Sequence, residues 1–146
     1  MKKNALMLML LASAQASAAA NMWTRASVQG VTEYRMQNKN GAELLLTCSP
    51  EDNAFVQYTS PDGKTLASGG DDGRSVQAQT DNSETFLIND TFSDAGGSNF
   101  EAFWDAARKS HRIHITATGL TSATFTFSNA ATILPEFDKS GCLTRM

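Results

Sequence analysis

The chain has 146 residues, with 12 Lys and Arg against 15 Asp and Glu and a formal net charge of −3 at pH 7. That length suits one domain with a modest core. Because the balance is acidic, it argues against nucleic acid and anionic lipid as partners, which require clustered Lys and Arg, but it permits a basic protein partner.

The first twenty residues have the pattern of a secretory signal peptide. Two lysines, a short apolar run and small residues follow in this order: Lys2 and Lys3, ALMLMLLA, then Ala18 and Ala20. The run is too short to span a bilayer, and no cysteine follows for lipid attachment. We therefore expect a signal peptide over residues 1–20, cleavage near Ala20/Asn21, and a single periplasmic or secreted domain over 21–146 without membrane insertion. Without the two lysines, ten basic and fifteen acidic residues give this domain a net charge of −5.

Short alternating segments separated by turns follow. The turn sequences NKNG, SPED, SPDG and GGDDGR recur at roughly the 8–12-residue spacing of all-β domains. The inward-facing positions of three successive strands are predicted to be Thr32, Tyr34 and Met36, then Leu44, Leu46 and Cys48, then Ala54, Val56 and Tyr58. KTLAS, SVQAQT and TFLIN are further strand candidates.

The stretch SNFEAFWDAARKSHRIHI departs from this alternation. Phe100, Phe103, Trp104 and Ala107 recur at i, i+3, i+4 and i+7, which predicts an amphipathic helix from Phe100 to about Lys109 that covers the sheet. Ser98 and Glu101 match a capping box, so the preceding SDAGGSN is interpreted as a chain reversal.

Alternation returns at Arg112 and continues to the last apolar segment, AATIL, which Pro135 ends. The predicted inward positions are Ile113, Ile115 and Ala117, then Ala123, Phe125 and Phe127. The predicted fold is mainly β: an antiparallel β-sandwich or flattened barrel with one covering α-helix and one disulfide.

The two cysteines, Cys48 and Cys142, are expected to form that disulfide in an oxidising compartment, with free thiols as the alternative. The bond would close a loop of about 95 residues, which corresponds to roughly 4–5 kcal/mol in the chain-entropy model. Two cysteines so far apart lack the close spacing of a zinc site.

A cluster of Ser110, His111, His114 and Asp105 raises the question of an active site. Adjacent Ser and His side chains at a helix end point apart, and the chain contains no G-x-S-x-G motif. As metal ligands, His111 and His114 would face opposite sides of a strand. We therefore interpret the cluster as a helix-to-strand junction, with metal binding and catalysis as weaker alternatives.

Acidic turns and one tryptophan are the candidate binding residues: Trp23, Asp71, Asp72 and Asp94. The aspartates match no EF-hand spacing, and Asp and Gly are what turns require, so calcium is only an alternative and no metal or cofactor is predicted. Trp23 is expected either to cover an open end of the sandwich or to face a partner.

The chain resembles a group of small exported bacterial proteins, the invasion-associated locus B proteins and the accessory proteins of type VI secretion clusters. The matching features are Trp23, the LLLTC strand ending at Cys48, and ATFTFSNAATILPEFDKSGC ending at Cys142. The resemblance implies a non-enzymatic envelope protein with a disulfide-closed β-sandwich.

The sequence thus predicts an exported, non-enzymatic binding or accessory protein that contacts an envelope or secreted protein. One alternative is an inhibitor or immunity protein whose acidic loops enter the basic cleft of a toxin or lysozyme. An alternative of another class is a small hydrolase with dispersed carboxylates, since such pairs leave no spacing signal.

Overall fold

The structure is a computed structural model that describes residues 20–70, 72–81 and 84–146. The predicted signal peptide lies outside these residues except for Ala20. The elements in chain order are β1 Trp23–Val28, β2 Val31–Gln37, β3 Glu43–Cys48, β4 Phe55–Thr59, β5 Thr65–Ala67, β6 Val76–Thr80, β7 Thr85–Ile88, α1 Asp94–Arg108, β8 Arg112–Ala117, β9 Ala123–Thr126, α2 Ala130–Ile133 and a 3-10 helix Phe137–Lys139. Neither α-helix in this part of the chain has the length and hydropathy needed to cross a membrane.

The strands form two antiparallel sheets, which confirms the predicted mainly β class and is consistent with a sandwich. The first sheet has the order β1-β2-β3-β4-β5, and the second has the order β7-β6-β8-β9. Residues from both sheets and from α1 form one continuous buried cluster. The hydrophobic core therefore lies between the two sheets.

The predicted inner faces are confirmed in both sheets. Apart from the half-buried Thr32, every predicted inward position is buried: Tyr34, Met36, Leu44, Leu46, Cys48, Ala54, Val56, Tyr58, Ile113, Ile115, Ala117, Ala123, Phe125 and Phe127. The predicted Asn40-Gly41 turn joins β2 to β3, and Gly41 has a φ of 85°, which a residue with a Cβ rarely adopts.

The start of α1 differs from the prediction, and the Ser98–Glu101 capping box is wrong. The helix begins at Asp94, because Ser93 is the N-cap and its hydroxyl accepts a hydrogen bond from the Gly96 N–H. The glycines lie in the first turn rather than in a chain reversal. A Cβ on Gly96 would stand 2.4 Å from the Asp90 carbonyl oxygen, so this close approach requires glycine.

The predicted apolar stripe of α1 is confirmed, and it contacts both sheets rather than one. Phe100, Phe103, Trp104 and Ala107 are all buried. Trp104 meets Tyr34 of β2 edge to face at 5.1 Å, whereas Phe103 packs against Phe86 of β7 at 6.0 Å. The helix therefore joins the two sheets through the core.

The Cys48–Cys142 disulfide is present, as predicted, and it attaches the C-terminal segment to β3. Beyond the bond, the Ala54 N–H donates to the Leu143 carbonyl at 2.8 Å. The guanidinium of Arg145 donates to Ser98 and Glu101 of α1, at 2.9 Å each. These contacts explain why Ser98 and Glu101 are not capping residues: their side chains bind Arg145.

Candidate functional site

A groove lies on the outer face of the first sheet, between the β1–β2 hairpin and the connection from β3 to β4. Its volume is about 370 Å³. The lining residues come from both sides of this gap: Val28, Val31, Glu33, Thr47, Ser49, Asp52, Asn53 and Phe55. Neither side is contiguous with the other in sequence, so the sheet register creates the groove.

The β1–β2 hairpin forms one wall. Gln29 and Gly30 have positive φ values of 51° and 81°, which is the conformation of a two-residue hairpin turn that matches strand twist. The turn pairs Val28 directly with Val31. Because Glu33 faces outward, Val31 two residues earlier faces outward too, and Val28 remains largely exposed.

The centre of the groove is a row of paired residues across three strands. Thr47 of β3 pairs with Glu33 of β2 on one side and with Phe55 of β4 on the other. Paired residues in an antiparallel sheet share a face and lie close together. A carboxylate, a hydroxyl and an aromatic ring therefore stand side by side on the outer face.

Thr47 is the unusual member of this row. It is 8 % exposed although it lies on the outer face, and its hydroxyl oxygen is buried with no hydrogen-bond partner among the described residues. A buried hydroxyl without a partner costs free energy, about 1–3 kcal/mol, so such groups are uncommon in folded proteins. Thr47, a lining residue of the groove, thus carries a buried hydroxyl to which no described residue is hydrogen-bonded.

Carboxylates dominate the charge around the groove. The guanidinium of Arg35 bridges Glu33 at 2.8 Å and Glu43 at 2.7 Å, and the hydrogen bond to Glu33 raises the pKa of Arg35. Asp52 stands exposed at the opposite rim. Around the groove, Glu33, Glu43 and Asp52 outnumber Arg35, and none of the described residues that line it is Lys or Arg.

Trp23, a candidate binding residue, is in the core instead of on the surface. Its ring is 1 % exposed and packs edge to face on Phe127 at 5.8 Å. The side-chain amide of Asn129 bonds both its backbone N–H and its carbonyl, at 2.9 Å each. The structure therefore gives Trp23 the packing role that the sequence left open, and its ring presents no surface to a partner.

The acidic candidates do not lie together in one site. Asp72 is exposed, and hydrogen bonds from the Arg74 N–H and then from its guanidinium lower the pKa of this carboxyl. Asp94 is exposed in the first turn of α1, and Asp71 lies outside the described residues. Partner binding by these aspartates stays a prediction. No group of three or more His, Cys, Asp or Glu side chains in the described ranges could hold a metal ion.

The histidine cluster is divided among separate contacts. The Ser110 hydroxyl donates to the Ala106 carbonyl at 2.7 Å, and the His111 side chain is 76 % exposed. His114 Nδ1 lies 2.8 Å from the Thr124 hydroxyl of the neighbouring strand. Ser110 and His111 lie between the end of α1 at Arg108 and the start of β8 at Arg112, so the predicted helix-to-strand junction is present.

The groove was missed at the level of sequence, although β3 carried a signal for it. The run ELLLTC places apolar or small residues on both faces of one strand, and its burial continues from Leu44 to Cys48 without a break. A continuous apolar run is typical of a strand buried on both sides. Period-2 alternation identifies the residues that face the core, and it does not reveal that Leu45 and Thr47 on the outer face are buried as well.

Fold and groove together define a small, disulfide-closed β-sandwich with a partly apolar, acidic-rimmed groove on one outer face. The chain belongs to the YfjT family, whose family model matches residues 21–134. The matched range includes the nine strands and two α-helices found among the described residues, and it ends before Cys142. No curated protein and no solved structure gives a significant match to the chain.

Proposed function

We propose that this chain is an exported, non-enzymatic binding or accessory protein that acts by contact with another protein of the bacterial envelope. The observation that carries the proposal is the groove around Thr47. It combines apolar walls with a buried hydroxyl that lacks a partner within the described residues. A concave, partly apolar pocket with a few polar groups is the usual form of a binding site.

Two further observations support export. The Cys48–Cys142 disulfide is compatible with an oxidising, extracytoplasmic compartment. The family match begins at residue 21, immediately after the cleavage point expected from Ala18 and Ala20. The resemblance to accessory proteins of type VI secretion clusters and to invasion-associated locus B proteins points to the same role.

The chemistry of the groove favours binding over catalysis. A hydroxyl becomes a nucleophile when a neighbouring base accepts its proton, and the Thr47 hydroxyl has no such hydrogen bond. The adjacent Glu33 carboxylate is held by Arg35. An inhibitor that inserts acidic loops is less favoured, because the carboxylate of Asp72 is engaged by Arg74 and the site at Thr47 is concave.

Site-specific photo-crosslinking tests the proposal. The photoreactive residue p-benzoylphenylalanine would replace Val31 in the groove wall, and in a matched control it would replace Thr116, which is exposed on the outer face of the second sheet. In cells that export the protein, we expect a crosslinked protein adduct from position 31 and none from position 116. Adducts from position 116 alone, or from neither position, would reject the groove as a protein contact site.

A further inference from the structure

We infer that the groove binds an arginine or lysine side chain presented by the partner protein. This inference rests on the proposed function and specifies the chemistry of the partner. It follows from three properties of the groove that coincide within one row and its two walls: apolar sides, a carboxylate rim and an unbonded hydroxyl at the centre.

The apolar sides suit the methylene stem of a long basic side chain. Val28 and Val31 form one wall, and the ring of Phe55 lies on the other side of Thr47. Lys and Arg bury their aliphatic stems along apolar surface while the charged head group reaches polar groups. A cation over an aromatic ring adds attraction, which is larger for a desolvated head group.

The rim supplies the opposite charge. Glu33 and Asp52 line the groove, and its described lining residues include no basic side chain that would repel a cation. Arg35 neutralises only part of this charge, because it is shared between Glu33 and Glu43. An acidic side chain would place like charges together at this rim, which disfavours binding, and a neutral one would gain no attraction from the carboxylates.

The Thr47 hydroxyl supplies a hydrogen-bond acceptor. The head groups of Arg and Lys are donors only, so a hydroxyl oxygen and carboxylates are matched acceptors for them. Such a bond would satisfy the one polar atom of the row that is buried without a partner in the described structure. The free-energy cost of burying this hydroxyl is then offset only when the basic side chain is bound.

NMR titration of the ¹⁵N-labelled protein, with its disulfide intact, tests the inference. The probes are the N-acetyl methylamides of arginine, lysine, norleucine and glutamate. We expect the arginine or lysine amide to shift the backbone amides of Val31, Thr47 and Phe55 with millimolar affinity, as befits so small a ligand. The norleucine amide, which has a similar chain without the charge, and the glutamate amide should not shift them.

Two variants assign the effect to the groove. Thr47→Val should weaken binding of the basic amide about tenfold, since a hydrogen bond to a charged group is lost. Thr80→Val is the matched control, because Thr80 also has a buried hydroxyl without a partner in the described residues but lies in β6, outside the groove. Absence of shifts with both basic amides, or equal shifts with norleucine, would overturn the inference, as would equal losses in the two variants.

Sequencing of the peptide crosslinked at position 31 separates this inference from the proposed function. An Arg or Lys in the crosslinked peptide, together with loss of the crosslink in the Thr47→Val variant, supports both the inference and the proposed function. A crosslinked segment without a basic residue overturns the inference while protein binding at the groove stands. If the basic amides bind but no protein adduct forms at position 31, the preference of the groove for a basic group stands and the proposed protein contact fails.

Discussion

The outer faces of the two sheets differ, although their inner faces are alike. In the second sheet, β8 and β9 alternate between buried and exposed positions, and the outer face carries exposed polar residues such as Thr116, Thr124 and Thr126. In the first sheet, β3 is buried on both sides: Leu45 and Thr47 on its outer face are only 6 % and 8 % exposed. The outer face of the second sheet is therefore exposed to solvent at alternate positions, whereas the outer face of the first sheet is largely buried along β3.

On the outer face of the first sheet, the polar groups next to Leu45 are hydrogen-bonded, whereas the hydroxyl of Thr47 is not bonded to any described residue. Arg35 pairs with Leu45 in the strand register, and its guanidinium forms ion pairs with Glu33 and Glu43. Leu45 therefore lies beside charged groups that are paired with one another. Thr47, two residues further along, has no such network. The protein's own ion pairs lie beside Leu45, whereas the described residues supply no hydrogen bond to the Thr47 hydroxyl, where we propose that a partner binds.

The inner faces set the largest expected effect. Trp104→Ala should lower the free energy of unfolding by about 3–5 kcal/mol, as for other large aromatic truncations in cores. The ring contacts Tyr34 and donates its Nε1–H to the Pro135 carbonyl at 2.8 Å. Urea denaturation measures the loss, with Asp105→Ala on the exposed side of α1 as the control. A loss below that of the control would place Trp104 outside the folding core.

Removal of the disulfide comes next. Replacing Cys48 and Cys142 together by serine should cost about 2–5 kcal/mol, in the range of native disulfides of small exported domains. It should also release the segment that contains Arg145, whose contacts with α1 depend on that attachment. Hydrogen exchange should then rise at the Arg145 N–H, which bonds the Thr91 carbonyl. Unchanged exchange there would show that the segment holds its position without the bond.

Asp81 tests the second sheet through pH. Desolvation opposes ionisation, but hydrogen bonds, chiefly from the His111 N–H, outweigh it and lower the pKa of Asp81 from its usual value. A lowered pKa means that the stabilisation is complete above the ordinary value and is lost as the pH falls through the lowered one. Asp81→Asn should therefore cost about 1 kcal/mol at pH 7. Its stability should converge with that of the wild type as the pH falls through the lowered pKa of Asp81, and a difference that does not shrink on acidification would contradict this account.

Two threonines sharpen the comparison of faces. Thr47→Val and Thr80→Val each remove a buried hydroxyl without a partner in the described structure and keep the side-chain shape. Both should raise the free energy of unfolding, by up to about 1 kcal/mol. Only the first should weaken partner binding. A destabilised Thr47→Val variant would mean that the hydroxyl serves the fold and not a ligand.

The smallest effects are expected at the helix-to-strand junction. His111→Ala and His114→Ala should each change stability by less than about 0.5 kcal/mol, because substitutions at exposed positions away from caps and networks rarely matter more. The contact of His114 with Thr124 is a single surface hydrogen bond. Partner binding should also persist in both variants. Loss of binding with the fold intact would make the junction a functional site.

Local pattern was enough for most of the fold. Period-2 alternation identified the inner faces of β2, β3, β4, β8 and β9, since each strand exposes alternate residues to the core whatever its neighbours are. The stripe around Trp104 followed from helical periodicity in the same way, and the two cysteines had each other as the only partners. The strand faces and the helix stripe depend on residues close in sequence, and the disulfide follows from the number of cysteines in the chain.

The start of α1 and the position of the groove depend on contacts between elements that are distant in sequence. Ser98 and Glu101 have the spacing of a capping box, but Arg145 contacts them from 47 and 44 residues away, and Ser93 caps the helix in their place. The groove forms because pairing of β2, β3 and β4 sets Glu33, Thr47 and Phe55 in one row. Pairing register and long-range contacts depend on how separate elements pack, and no local period records them.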